Sequence, residues 1–206
     1  MTKLDPFYPV VDSAQWVKRL VGVGAKLIQL RIKDMELPLL RREIQEAREI
    51  CLNGNCQLVI NDHWQIALEE DCDFIHIGQE DLETADLAAI RRANMRFGLS
   101  THSQDELETA LSVAPDYVAL GPIWPTQLKV MPWEPQTPQR LAEWRRQIGA
   151  LPLVAIGGIT LDRAPEVFRH GATCAAVVRD IVASENPENH TLKWLSLTRK
   201  FDIDQP

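Results

Sequence analysis

The 206-residue sequence predicts an α/β protein, a single (β/α)8 barrel. Three observations predict it. Short apolar runs alternate with longer segments of helical period, and the alternation repeats eight times. No hairpin signal joins one run directly to the next, so the strands are read as parallel. The runs also finish in polar or charged residues. Leu27–Ile32 carries Arg31 and leads into Lys33, Gln57–Ile60 into Asn61 and Asp62, and Phe74–Ile77 into Gly78-Gln79-Glu80-Asp81. Strands that end this way suit a parallel enzyme fold, whose ligands sit beyond the carboxyl ends of its strands. Eight such units close into a TIM barrel; an open doubly wound sheet is the runner-up.

Each unit has a local reason. Phe7–Val11 is the first strand, and Asp12 or Ser13 then offers a side-chain oxygen to cap a helix. That helix carries Trp16, Leu20 and Val21 on one face and ends at Gly22 and Gly24. Ala25–Arg31 is the second strand. Its helix, Leu37–Leu52, has Leu40, Ile44 and Ile50 as apolar positions and is closed by Gly54. Gln57–Ile60 precedes a short helix over Trp64–Glu69, and Phe74–Ile77 precedes one over Ala85–Ala93. Arg96–Leu99 is followed by Ser103 and Glu106 at capping-box spacing, opening a helix to Val113. Tyr117–Leu120 leads into a proline-bearing loop, 121–136, and a helix from Thr137 or Pro138 to Gln147. Leu153–Ile156 pairs with a helix over Asp162–Arg169, and Thr173–Val178 with a closing helix over Thr191–Lys200. No linker, low-complexity tract or repeat divides the chain, so residues 1–206 are expected to form one domain.

Composition narrows the function. Apolar residues make up 45% and charged residues 25%, an ordinary balance for a protein with a full core. A net charge of −7 argues against a non-specific nucleic-acid binder, which needs a basic face, but leaves room for a small anionic ligand. Cys51, Cys56, Cys72 and Cys174 match no zinc or Cys-x-x-Cys spacing and are read as reduced thiols, which favours a cytoplasmic setting. No run approaches the ~20 apolar residues of a membrane span, and the N-terminus lacks a signal core. The expected partners are small phosphorylated molecules, with neither nucleic acid nor membrane; the sequence admits a homo-oligomer.

The strand ends carry the chemistry. Asp62 and Asp81 are two carboxylates on neighbouring strands without clustered Cys or His, which suits Mg²⁺ bound through oxygen and water. Alone, either would be read as a helix or turn cap; together they tip towards metal. Gln29, Arg31 and Lys33 alternate onto one face, opposite Ile28, Leu30 and Ile32. An interior face of that kind wants anionic oxygens. Salt bridges to Asp62 and Asp81 compete with this reading, and a metal-bridged diphosphate satisfies both charge sets. Gly157-Gly158 follows the seventh strand and Val178 ends the eighth, where barrels commonly bind phosphate. In the long loop, Lys129 could close on a charged ligand and Trp124 could exclude water; a solvated loop is an equal reading. Ser100 and Thr101 offer hydroxyls, and His102 is a capping residue first and an acid–base group second. No nucleophile–base pair stands out. Two phosphate sites on one rim suggest group transfer between phosphorylated small molecules.

As an ordered set, these residues resemble the thiamine phosphate synthase family. The set comprises Gln29-Leu30-Arg31-Ile32-Lys33, Val59-Ile60-Asn61-Asp62, His76-Ile77-Gly78-Gln79-Glu80-Asp81, Gly98-Leu99-Ser100-Thr101-His102, Leu120-Gly121-Pro122-Ile123-Trp124-Pro125-Thr126, Lys129 and Ala155-Ile156-Gly157-Gly158-Ile159. The similarity spans about residues 8–181. It implies condensation of a pyrimidine diphosphate with a thiazole phosphate, or its carboxylated form, to thiamine phosphate and diphosphate. It implies Mg²⁺ on Asp62 and Asp81. The pyrimidine diphosphate would lie on residues 29–33, Asn61, Ser100 and Lys129, with Arg31, Lys33 and Lys129 catalytic. The thiazole phosphate would lie on Thr126, Gly158, Val178 and Arg179. The implied mechanism is dissociative: diphosphate leaves, and the thiazole nitrogen captures the pyrimidinylmethyl cation. Two positions depart from the family pattern. Leu128 stands where a threonine is usual and Arg179 where a serine is usual, both on the thiazole side. Arg179 either grips phosphate with its charged fork or turns outward to an acid such as Asp180. The competing functions are a thiazole tautomerase with His102 as proton shuttle, which has no use for the diphosphate set, and a non-catalytic phosphate-ligand binder.

Overall fold

The structure is a computed structural model and describes residues 3–125 and 134–202. Its strands are β1 (Phe7–Val11), β2 (Leu27–Leu30), β3 (Gln57–Asn61), β4 (Phe74–Ile77), β5 (Arg96–Thr101), β6 (Tyr117–Leu120), β7 (Leu153–Ile156) and β8 (Cys174–Val177). They pair in parallel in sequence order, and β8 closes on β1. The helices are α1 (Ala14–Gly22), α2 (Leu37–Gly54), α3 (Trp64–Glu69), α4 (Gln79–Leu82), α5 (Leu87–Arg92), α6 (Gln104–Ser112), α7 (Thr137–Ile148), α8 (Ala164–Arg169), α9 (Arg179–Val182) and α10 (Pro187–Asp202). The expected (β/α)8 barrel is the fold observed.

The period-2 alternation of the strands sorts their side chains into two cores. Phe7, Ile28, Leu30, Ile32, Ile60, Ile75, Ile77, Leu99 and Leu120 face outward to the helices. Tyr8, Val10, Leu27, Val59, Phe74, Tyr117, Ala119, Val154, Cys174 and Ala176 fill the barrel. Each fully buried large side chain stabilises by about 1.5–3 kcal/mol, and Trp144 and Trp194 are both fully buried. Trp194 stacks on Phe7 at 5.4 Å and clamps α10 to β1. Its indole N–H donates to Asp180 Oδ2 at 2.7 Å, which also bonds His190 Nε2 and the Leu161 N–H.

Several helix ends differ from expectation, each for a local reason. Ser13, one of the two expected caps of α1, accepts from the Trp16 N–H. The left-handed residue that ends α2 is Asn55, at φ 49°, not Gly54. Gly54 serves packing instead: a Cβ there would lie 2.1 Å from Val21 Cγ1 on α1. The helix expected over Ala85–Ala93 is shorter, with Asp86 capping the Ala89 N–H. The one expected over Asp162–Arg169 begins only at Ala164. The single-turn helices α4 and α9 were not expected, and the closing helix begins earlier, at Pro187.

Candidate active site

The carboxyl ends of β2, β3 and β4 bring the two charge sets together. β2 ends at Leu30, and the Arg31 N–H is held by the Val11 carbonyl at 2.7 Å. Gln29 is 4% exposed inside the barrel, Arg31 is half-buried at the rim, and Lys33 is exposed beyond it. Leu30 and Ile32 turn the other way, into the core under the helices. Asn61 ends β3, buried at 5% exposure, and Asp62 follows at φ 63°. That left-handed backbone is uncommon for any residue but glycine, with Asp and Asn among the more tolerant. It aims Asp62 away from capping: α3 is preceded by His63 and has no side-chain cap. Asp81 lies in α4, the turn that β4 feeds.

Electrostatics bind these positions into one site. Burial holds the Asp62 carboxyl above its ordinary pKa, the neighbouring Asp81 carboxylate adds to that, and Lys33 and Arg31 pull the other way. Asp62 therefore feels charged side chains from the ends of β2 and β4 as well as its own burial. No ion pair joins Arg31 or Lys33 to either carboxylate among the described residues. The competing salt-bridge reading is thus not the arrangement found. The donor set for a cation among the described residues is two carboxylates, with no cluster of three. Two carboxylates near enough for one to raise the other suit a hard cation that takes its remaining ligands from water and phosphate oxygens.

Ser100, near the end of β5, is reached from two sides. Its carbonyl accepts from Gln79 Nε2 at 2.7 Å, and its hydroxyl lies 2.8 Å from His76 Nε2. His76 is buried on β4, and burial, with the charge of Arg31, pushes its pKa down to about 4, so the ring is neutral. Neither Gln79 nor His76 was singled out from sequence. The available signal was parity, since His76 shares the inward face with Phe74. His102 is held by Glu106, through its backbone N–H at 2.6 Å and its ring Nδ1 at 2.8 Å. The cap of α6 is Ser103, which accepts from the Glu106 N–H at 3.2 Å; His102 precedes it and is held by the Glu106 carboxylate.

Across the same rim, after β7, the glycine pair serves the long loop. The Trp124 N–H donates to the Gly157 carbonyl at 3.1 Å, and a Cβ on Gly157 would lie 2.6 Å from Pro122 Cα. Gly158 is at φ 65°, where a Cβ would lie 2.7 Å from Trp124 Cβ. The Trp124 ring sits under the Arg163 guanidinium at 5.1 Å, and Arg163 also bonds the Gly158 carbonyl. The glycines thus let loop and strand approach closely, whatever ligand they also serve. Val178 is half-buried against the barrel core, and Arg179 starts α9 as an exposed residue. Thr126, Leu128 and Lys129 lie outside the described residues.

The family model described as thiamine monophosphate synthase matches residues 7–181. The chain belongs to the thiamine monophosphate synthase family. It is 62% identical to a thiamine-phosphate synthase of Rhizobium etli, over 95% of this chain and 96% of that one. A thiamine-phosphate synthase of Neisseria meningitidis is 48% identical, over 88% of this chain and 89% of the relative. Among solved structures, a thiamine phosphate pyrophosphorylase from Pyrococcus furiosus superposes with a TM-score of 0.84 at 25% identity, covering 96% of each chain. Membership in the thiamine monophosphate synthase family makes the protein a transferase of thiamine biosynthesis that acts on small phosphorylated substrates. Among the described residues, no helix is long and apolar enough to cross a membrane.

Proposed function

We propose that the protein joins a pyrimidine diphosphate to a thiazole phosphate by a dissociative route, with the diphosphate leaving over the rim of β2–β4. The observation that carries this reading is the convergence of Arg31, Lys33, Asp62 and Asp81 at the adjacent carboxyl ends of β2, β3 and β4, where Asp62 feels the charges of the other three. The carboxylates fit Mg²⁺, which when bound would neutralise the diphosphate oxygens and so make diphosphate a better leaving group. Arg31 and Lys33 stabilise the same developing charge from the protein side, without reorganising as it forms. Gln29, Asn61 and Ser100 orient the substrate, and Leu30 and Ile32, whose side chains face the helices, contribute backbone alone. A neutral thiazole nitrogen needs no general base to capture the cation, which agrees with the engagement of His102 by Glu106. Lys129 completes the cation set, and Thr126, Gly158, Val178 and Arg179 receive the thiazole phosphate. Arg179 takes the place of hydroxyls elsewhere in the family, while its neighbour Asp180 is engaged by Trp194 and His190.

The test is diphosphate release by the purified protein with both substrates and Mg²⁺, omitting each in turn. Release that depends on all three is expected. Release without the thiazole phosphate, or with Mg²⁺ chelated, would overturn the corresponding assignment. Arg179→Ser is expected to raise the KM for thiazole phosphate by about tenfold, the loss of a charged hydrogen bond; an unchanged KM would turn Arg179 outward.

A further inference from the structure

A row of five polar side chains crosses the barrel interior. Gln29 Nε2 donates to the Tyr8 hydroxyl at 3.0 Å. The Tyr8 and Tyr117 hydroxyls are 3.0 Å apart, and the Tyr117 hydroxyl lies 2.7 Å from His76 Nδ1. His76 Nε2 then lies 2.8 Å from Ser100 Oγ. Tyr8, Gln29, His76 and Tyr117 are all buried. Hydrogen-bonded rows in such surroundings act as units, because no water is at hand to replace a lost partner. The two ends, Gln29 and Ser100, are the residues assigned to the pyrimidine diphosphate.

The protons in this row can be followed. A phenol has one proton to give. Tyr8 accepts from the Gln29 amide, so its own proton goes to the Tyr117 oxygen. The Tyr117 proton goes to His76 Nδ1. A neutral imidazole that accepts at Nδ1 carries its proton on Nε2, and that proton is donated to Ser100 Oγ. Ser100 therefore keeps its own hydroxyl proton for another acceptor. With the row reversed, Ser100 would donate into the ring and present only lone pairs, which repel an anionic oxygen.

We propose that Tyr8 and Tyr117, acting through His76, are positioning residues that keep the Ser100 hydroxyl proton available to an anionic oxygen of the substrate. Gly98 belongs to the same device. A Cβ there would lie 2.0 Å from Tyr117 Cζ, so only glycine admits the ring. The inference rests on the assignment of Ser100 to the diphosphate site.

Two measurements test it. In protein labelled with ¹⁵N at the imidazoles, His76 is expected to be the Nε2–H tautomer without substrate; an Nδ1–H ring would overturn the row's polarity. Tyr117→Phe, which keeps the ring, is expected to raise the KM for pyrimidine diphosphate by about tenfold with kcat changed less. In a Ser100→Ala background the same substitution should add less than about twofold, because its route to the ligand is gone. A full tenfold effect in that background would reduce Tyr117 to a structural role and overturn the proposal. Absence of turnover in the wild-type enzyme would strike the functional reading, while the tautomer, read without substrate, still decides the polarity.

Discussion

Asp62 pairs an unfavourable backbone with an unfavourable charge. Its φ of 63° is tolerated by asparagine at least as well as by aspartate. Its carboxyl, raised first by burial and then by Asp81, opposes folding at neutral pH unless a cation is bound. Asp62→Asn keeps the shape and removes the charge. The metal-free variant is expected to be more stable than the wild type at neutral pH, by about 1 kcal/mol, and to lose Mg²⁺-dependent turnover. Urea denaturation and diphosphate release check the two halves. A variant less stable than the wild type would show that the carboxylates do not conflict. Active sites commonly hold such tension between stability and function.

At the level of elements, the glycines show that one substitution can have opposite signs. Gly98→Ala on β5 drives a methyl into the Tyr117 ring, and overpacking of this kind is expected to cost about 1–3 kcal/mol. Gly22→Ala at the end of α1 meets nothing within 4 Å and should instead stabilise by about 0.5–1 kcal/mol. Thermal denaturation of the two variants compares them directly; a shift in the same direction for both would refute the packing account. The same elements show what was legible in the sequence. The eight strands were readable because apolar runs and alternation are local, and the rim charges because each sits where a run stops. Helices α4 and α9 were not readable, since four residues make a single turn and show no period. Gly54 looked like a helix stop, because nothing local reveals Val21 across the helix interface. The Tyr8–Tyr117–His76 row was hidden among apolar runs: its three members lie on β1, β6 and β4, and only barrel closure makes them neighbours.

Two buried groups of the barrel interior and rim shape its acid response in opposite senses, beside the surface carboxylates Glu70 and Glu188, whose hydrogen-bonding partners, arginines among them, hold them below the ordinary value. His76 is neutral in the folded protein down to about pH 4, held there by burial and by Arg31. In the unfolded chain a histidine protonates near its ordinary value of about 6.5. Between those values the unfolded chain binds the extra proton, so this contribution is whole above about pH 6.5 and is lost as pH falls towards about 4. That gap corresponds to about 3 kcal/mol. Asp62 has a raised folded pKa, so the folded protein takes up its proton first, and repulsion from Asp81 is relieved in acid. The wild type therefore shows the histidine loss partly offset by the carboxyl gain. Asp62→Asn removes the offset. It should start from a higher stability at neutral pH and fall more steeply on acidification, converging on the wild type near the acid end. His76→Gln should flatten the curve. Urea midpoints measured in the absence of Mg²⁺ between about pH 7 and about pH 4.5 read all three proteins on one scale. Parallel curves for wild type and Asp62→Asn would mean that Asp62 is not held above its ordinary value. Addition of Mg²⁺ should bring the two neutral-pH stabilities together, since a bound cation cancels the repulsion that the asparagine removes.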